Sequence, residues 1–559
     1  MFKKAAAVLT AMSCLTLGLV LSVGMSAASA SSPPLVLEGN TGVTFTNNFN
    51  PLDSNSFASE MKVRSLVYEP LFEFDTIKAG VSYPWLATAY AWSNGGKTLT
   101  FTIRTGVKWS DGSAFTPADV AATFNGVNTN AAANVFGLPA LASPATVSGN
   151  TVVLNYSTPE YSNITAIAGN QLMVPSSYWT TNTTPGTATV SNTQAIGTGP
   201  YVASSYSSSV VDYTANPSYW GDAVGNSPVA PEVQVLSVDT NADAATDLAD
   251  GTLTWAGNDI ANVNSIFVDQ DKATNHTFFA PGNTVTLEFN VTKAPLNDPK
   301  VREAISVGIN RQQLGIKGES GYEAPATSLS GLILPNQSSY MASQYANDIK
   351  PTNQPAEVKS ILTSDGYKKN KQGFWAKKGK EIKFSIQDPI AYSDYYADAQ
   401  LMSSELKSEG IDATVDGVQA SAWYTNSADG NFTTIEHWGN GGTDPYTQFD
   451  NWLDFSTSAP VGKSANGDYG RFNSAAVQAD LVKLAGTNPT DTAAVKAASL
   501  PLEKVVATEL PVIPLLYGAT WCEYSTANYS GFPTPTNPYM DPAPNDPELP
   551  YILTHITAS

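Results

Sequence analysis

Lys97-Thr98-Leu99-Thr100-Phe101-Thr102-Ile103-Arg104-Thr105-Gly106-Val107-Lys108-Trp109-Ser110-Asp111-Gly112, followed by Phe115-Thr116-Pro117-Ala118-Asp119-Val120, switches from one periodicity to another within a short span. Leu99, Phe101 and Ile103 alternate with threonines, which predicts a strand with one buried face. Asn94-Gly95-Gly96 precedes it as a hairpin turn, since Asn and Gly accept positive φ. Thr116 then stands where a helix cap belongs, Pro117 at the first helical position, and Asp119 where negative charge favours a helix start. Val120 and Phe124 give that helix a buried side. Asp111-Gly112-Ser113 beside Asp119 lacks the ligand spacing and closing Glu of a calcium loop and reads as a tight turn.

Working outward, Asp298-Pro299-Lys300-Val301 repeats the cap-and-proline logic, with Val301, Ile305 and Ile309 on one helical face. Leu35-Val36-Leu37 predicts a short buried strand, and Asn47-Asn48-Phe49-Asn50-Pro51 a loop. Met61, Leu66, Val67 and Leu71 predict an amphipathic helix from Ala58 to Phe72, disturbed by Pro70. Strands and helices alternate without a fixed repeat, which argues for α/β lobes over a solenoid or propeller.

At 559 residues the chain exceeds one hydrophobic core, so two or more lobes are expected. With 42% hydrophobic and 14% charged residues it has a globular composition. Lys3 and Lys4, the apolar run from Ala5 to about Met25, and Ala28-Ser29-Ala30 read as a cleaved export signal over residues 1–30. A membrane anchor is the competing reading, because the run approaches a spanning length. Cleavage is favoured by the small-residue site and the polar Ser31-Ser32-Pro33-Pro34 that follows. Ala11-Met12-Ser13-Cys14 is a weak form of a lipoprotein box, so lipid anchoring is a further reading. The two cysteines are Cys14 and Cys522, and cleavage would leave no intrachain disulfide. A net charge of -20 repels phosphate backbones and argues against nucleic-acid binding.

Catalysis needs an activated group, and few are offered. The three histidines, His276, His437 and His555, have no ligand-like spacing, and Gly-x-Ser-x-Gly, His-Glu-x-x-His and phosphate-loop patterns are missing. Neither a metal nor a cofactor is expected. Glu436 and His437 are adjacent on a predicted strand and face opposite ways, so they form no dyad. Aromatics are more informative, with 11 Trp and 25 Tyr. Most belong to the core, but some can wall a cleft, where flat rings stack on sugars or pack on peptide side chains. Trp423 and the segment Trp438-Gly439-Asn440-Gly441-Gly442-Thr443-Asp444-Pro445-Tyr446 are the strongest candidates, since glycines let backbone approach a ligand closely. The competing reading of that segment is a surface turn.

The order of several blocks resembles the family 5 extracellular solute-binding proteins, which include oligopeptide, dipeptide, nickel and oligosaccharide receptors. The blocks are Val67-Tyr68-Glu69-Pro70-Leu71-Phe72, Pro84-Trp85-Leu86-Ala87, the stretch from Lys97 to Val120, Gly197-Thr198-Gly199-Pro200-Tyr201, Asn216-Pro217, Tyr219-Trp220-Gly221, and Phe289-Asn290 through Asn310-Arg311. The resemblance implies a two-lobed periplasmic-binding-protein-like α/β fold of type II, with an extra inserted domain. It divides the chain into lobe I at 35–82, an inserted subdomain at 83–196, lobe I again at 197–288, lobe II at 289–503, and a return to lobe I at 504–559. It also implies an exported monomer that closes on a small-molecule ligand and delivers it to ABC permease subunits in the membrane. Asn55, Phe57, Trp423, Trp438, Asn440, Gly441, Asp444 and Tyr446 are the expected ligand contacts. Peptide receptors of the family pair an Asp shortly after a Trp with the ligand's amine, and that position is Gly441 here. Asp444 matches the family's acid before Pro and is expected to be a turn residue. An oligopeptide ligand is expected, with an oligosaccharide such as a cello-oligosaccharide close behind. A secreted hydrolase, suggested by the His437 and Asp444 neighbourhood, lacks a nucleophile motif.

Overall fold

The structure, a computed structural model, describes residues 32–442, 444–544 and 548–559. The expected signal segment and Cys14 lie outside the described residues. Two large sheets organise the molecule. A seven-stranded sheet runs in the order Asn275–Thr277, Glu523–Ser525, Trp255–Ala256, Leu35–Thr41, Glu232–Val238, Val210–Ala215 and Tyr201–Tyr206. Leu35 and Leu37 are fully buried on it, as their apolar alternation requires. A six-stranded sheet runs in the order Ala324–Pro325, Val512–Thr520, Ala280–Phe289, Thr434–Trp438, Lys383–Pro389 and Asp412–Val418. Its last three strands are parallel and are joined through the helices Ser393–Glu409 and Ala420–Asp429. Each sheet carries its own core, giving the two α/β lobes.

A third, four-stranded antiparallel sheet joins Ala87–Ser93, Thr98–Ile103, Thr151–Tyr156 and Leu141–Ser148. The predicted alternation holds: Leu99, Phe101 and Ile103 are buried between half-exposed threonines. The helix Pro117–Thr129 packs on this face, with the Phe101 and Phe124 rings stacked at 6.4 Å. At its start the Asp119 carboxylate accepts the Thr116 N–H and hydroxyl, both at 2.9 Å. Asp298 caps the helix Pro299–Gly308 by accepting the Lys300 N–H at 2.9 Å.

The predicted helix from Ala58 to Phe72 does not form as such. Only Val63–Leu66 is helical, because Phe57 and Lys62 adopt left-handed φ of 53° and 57°, and Phe72–Phe74 is a strand. The unwound stretch turns Glu69 into a buried niche. There it accepts from Trp85 Nε1 at 2.8 Å, the Tyr219 hydroxyl at 2.9 Å and Trp220 Nε1 at 2.8 Å. Tertiary demand on one carboxylate overrides the local periodicity.

The chain passes between the two large sheets twice, after Thr277 and after Thr520. The strand Ala280–Phe289 already belongs to the six-stranded sheet, and Val512–Thr520 still does. These crossings fall earlier and later, respectively, than the lobe boundaries at 289 and 504 expected from sequence. The two passages pair with each other throughout: Asn275–Thr277 with Glu523–Ser525, then Ala280–Phe289 with Val512–Thr520. Between them the Phe278 N–H donates to the Cys522 carbonyl at 3.0 Å.

Candidate ligand-binding cleft

A cavity of about 330 Å³ opens beside these crossing strands and takes its walls from both lobes. Asn241 and Asp259 come from the lobe of the seven-stranded sheet. The Asn241 side-chain amide holds the Asp259 carbonyl at 2.8 Å, fixing that wall. Glu323, Tyr392, Asp394, Tyr395 and Trp438 come from the other lobe, and Asn283, Ala519 and Trp521 from the crossing strands or their ends. Trp521 packs edge-on against Phe279 at 4.9 Å, and Phe279 against Tyr322 at 5.0 Å. Trp521 thus places an aromatic ring on the cavity wall at the crossing itself. Among the described residues, no Lys or Arg lines the cavity.

Trp438 closes the strand Thr434–Trp438 and is half-buried, with one side toward the cavity. Behind it stands Trp423, on the helix Ala420–Asp429, its ring stacked on Trp438 at 5.5 Å and on His437 at 4.9 Å. Trp423 is wholly buried and its Nε1 donates to the Gln387 carbonyl at 3.2 Å, so it backs the wall and has no free face for a ligand. Burial lowers the His437 imidazole to about 4, and its Nδ1 lies 2.5 Å from the Trp438 carbonyl. A neutral His437 donates that bond.

After Trp438 the chain from Gly439 to Gly442 has no regular secondary structure, and Pro445 caps the helix Tyr446–Leu453. Asn440 and Gly441 are exposed, and their carbonyls accept from Gln448 Nε2 at 2.6 Å and the Thr447 hydroxyl at 3.0 Å. Asp444 accepts the Tyr446 N–H at 2.8 Å, the turn role expected for it, and burial pushes it up to about 6. A Cβ on Gly441 would meet the Gly282 carbonyl oxygen at 2.8 Å, so the backbone itself leaves no room for an acid there. Asn440, Gly441, Asp444 and Tyr446 do not line the cavity beside Trp438. Asn55 and Phe57, exposed on the loop before Val63–Leu66, are not among the residues that line it.

Sequence reasoning missed Asn241, Asp259, Glu323, Asp394, Tyr395 and Trp521. Tyr392-Ser393-Asp394-Tyr395-Tyr396 carried a signal, an aromatic cluster with an acid at a helix start. Trp521 carried none, because only the strand crossing brings it to the cleft.

Residues 82–459 match the family described as bacterial extracellular solute-binding proteins, family 5 middle. A nickel-binding periplasmic protein of Escherichia coli (strain K12) is 25% identical over 412 residues, covering 70% of this chain and 74% of that one. A dipeptide-binding protein of the same organism is 29% identical over 390 residues, covering 64% and 67%. Among solved structures, a periplasmic oligopeptide-binding protein of an ABC transporter from Thermotoga maritima matches with a TM-score of 0.83 and 25% identity, over 94% of this chain and 99% of that one. A mannohexaose-bound structure so described matches with a TM-score of 0.75 and 25% identity, over 94% and 98%. The chain belongs to the family 5 bacterial extracellular solute-binding proteins.

Proposed function

We propose that this protein captures an oligopeptide between its lobes and hands it, chemically unaltered, to the permease of an ABC importer. The coarser role, substrate-binding protein of such an importer, follows from family membership. The observation that carries the mechanism is the cavity whose walls come from both lobes and from the strands joining them. A solute that touches both walls favours the closed form over the open one, and that difference in affinity drives closure. In this reading the segment from Tyr83 to Ile196 is a subdomain inserted in the first lobe. Among the described residues no helix is long and apolar enough to cross a membrane. Export through residues 1–30 completes the reading, with lipidation at Cys14 as a variant of it.

An oligosaccharide is the second reading. The Trp438 and Trp521 rings in a cavity with amide and carboxyl side chains favour it, as does the mannohexaose-bound neighbour. Mass spectrometry of solutes that copurify with the protein separates the two. Small-angle scattering should show compaction on adding the identified solute, and no compaction with any peptide or sugar pool would remove the capture reading.

A further inference from the structure

Behind Asp394 the second lobe holds a cluster of mutually repelling carboxyl groups. Glu319, Asp388, Asp398 and Glu436 are buried, and both carboxyl oxygens of each have no hydrogen-bond partner among the described residues. In front of them Asp394 lines the cavity, and Asp259 lines it from the other lobe. Glu323 lines it too: it is 6% exposed, its Oε1 accepts the Ala519 N–H at 2.8 Å, and its Oε2 has no partner. An unpartnered carboxylate oxygen on a cavity wall is costly unless something enters to meet it.

We propose that the cleft holds the positively charged nitrogen of an organic ligand, a free amine, between Asp259 and Asp394 with Glu323 beside them. The proposal rests on the capture reading above and names the chemistry its ligand carries. Burial, joined by the Asp394 charge, pushes Asp259 up to about 6, and burial with the Asp394 and Asp259 charges raises Glu323. A cation between them removes that mutual repulsion. The Tyr392, Tyr395, Trp438 and Trp521 rings around the acids suit an organic cation, which ring faces attract. No group of three acidic, histidine or cysteine side chains among the described residues is placed to hold a metal ion. Because Asp259 and Asp394 sit on opposite lobes, the same cation would also draw the lobes together. The amine site that Gly441 cannot provide is thus supplied elsewhere in the cleft.

The test uses the full exported chain, immobilised, and synthetic tri- to pentapeptides without arginine. One pool keeps its free amines, a second is acetylated at every amine, and a third is a neutral mannan and glucan digest. Retention from the free-amine pool should exceed that from the acetylated pool by about tenfold or more. Asp259→Asn and Asp394→Asn should each cut it by about tenfold while thermal stability holds or rises, since each removes a like charge. Equal retention of acetylated peptides, or undiminished retention by both variants, would overturn the proposal. Retention from the neutral digest alone would overturn it and leave capture standing, whereas no retention from any pool would sink both.

Discussion

Glu69 shows how a single side chain can tie distant stretches of a sequence together. Its three donors come from Trp85, Tyr219 and Trp220, and the Arg104 guanidinium lies 4.4 Å over the Trp220 ring. Glu69→Ala would leave two indole N–H groups and a hydroxyl buried without acceptors, and denaturant unfolding should show a loss of about 3 kcal/mol or more. The blocks that carried the family resemblance, from Val67-Tyr68-Glu69 to Tyr219-Trp220, meet at this carboxylate, which is why they are legible as a set. In the cleft, Trp438→Ala should weaken ligand binding by more than about 1 kcal/mol in calorimetry, and unchanged affinity would remove that ring from the site. Gly441→Asp should lower the melting temperature without improving capture of amines, because its Cβ meets the Gly282 carbonyl. Trp438 could be picked from sequence as an aromatic beside glycines. Asp259 and Trp521 could not, since their importance comes from where the fold carries them.

At the level of elements, local signals were reliable where cap, proline and periodicity agreed. The helix Pro117–Thr129 begins where Thr116-Pro117 predicts, and its capping acid does more than close the helix. Asp119 also accepts the Ser176 N–H at 3.0 Å, joining this helix to the start of the helix Ser176–Thr181. Asp119→Ala should therefore cost about 1 to 2 kcal/mol in urea unfolding, at the upper end for a lost cap. The stretch Ala58–Phe72 went the other way. Its apolar spacing was helical, but left-handed Lys62 and the pull of Glu69 into its niche broke it after one turn. The lobe boundaries expected at 289 and 504 do not coincide with the crossings after Thr277 and Thr520, which lie in short links between strands of the two sheets.

Across the whole molecule the buried acids set a pH response. Burial raises Glu69, Asp75 and Glu503 to about 7, and Glu288 and Asp468 to about 8. In the unfolded chain these groups lose their protons near pH 4, so above that the folded form binds more protons. Their stabilising contribution is complete below about pH 4 and is lost as pH rises through 7 to 8. His437, lowered to about 4, acts oppositely below its ordinary value of 6.5, but it is one group against five. Calorimetry should find a higher melting temperature at about pH 4.5 than at about pH 8, and a flat or rising profile would contradict the burial pattern. The net charge of -20 adds self-repulsion of the same sign.

The paired passages between the sheets have one more consequence. Two ribbons laid side by side and laced by backbone bonds on each side of Phe278 and Cys522 bend together or not at all. In the proposed capture the molecule would then work as a caliper with one joint, its jaws coming to rest at a gap equal to the thickness of what they grip.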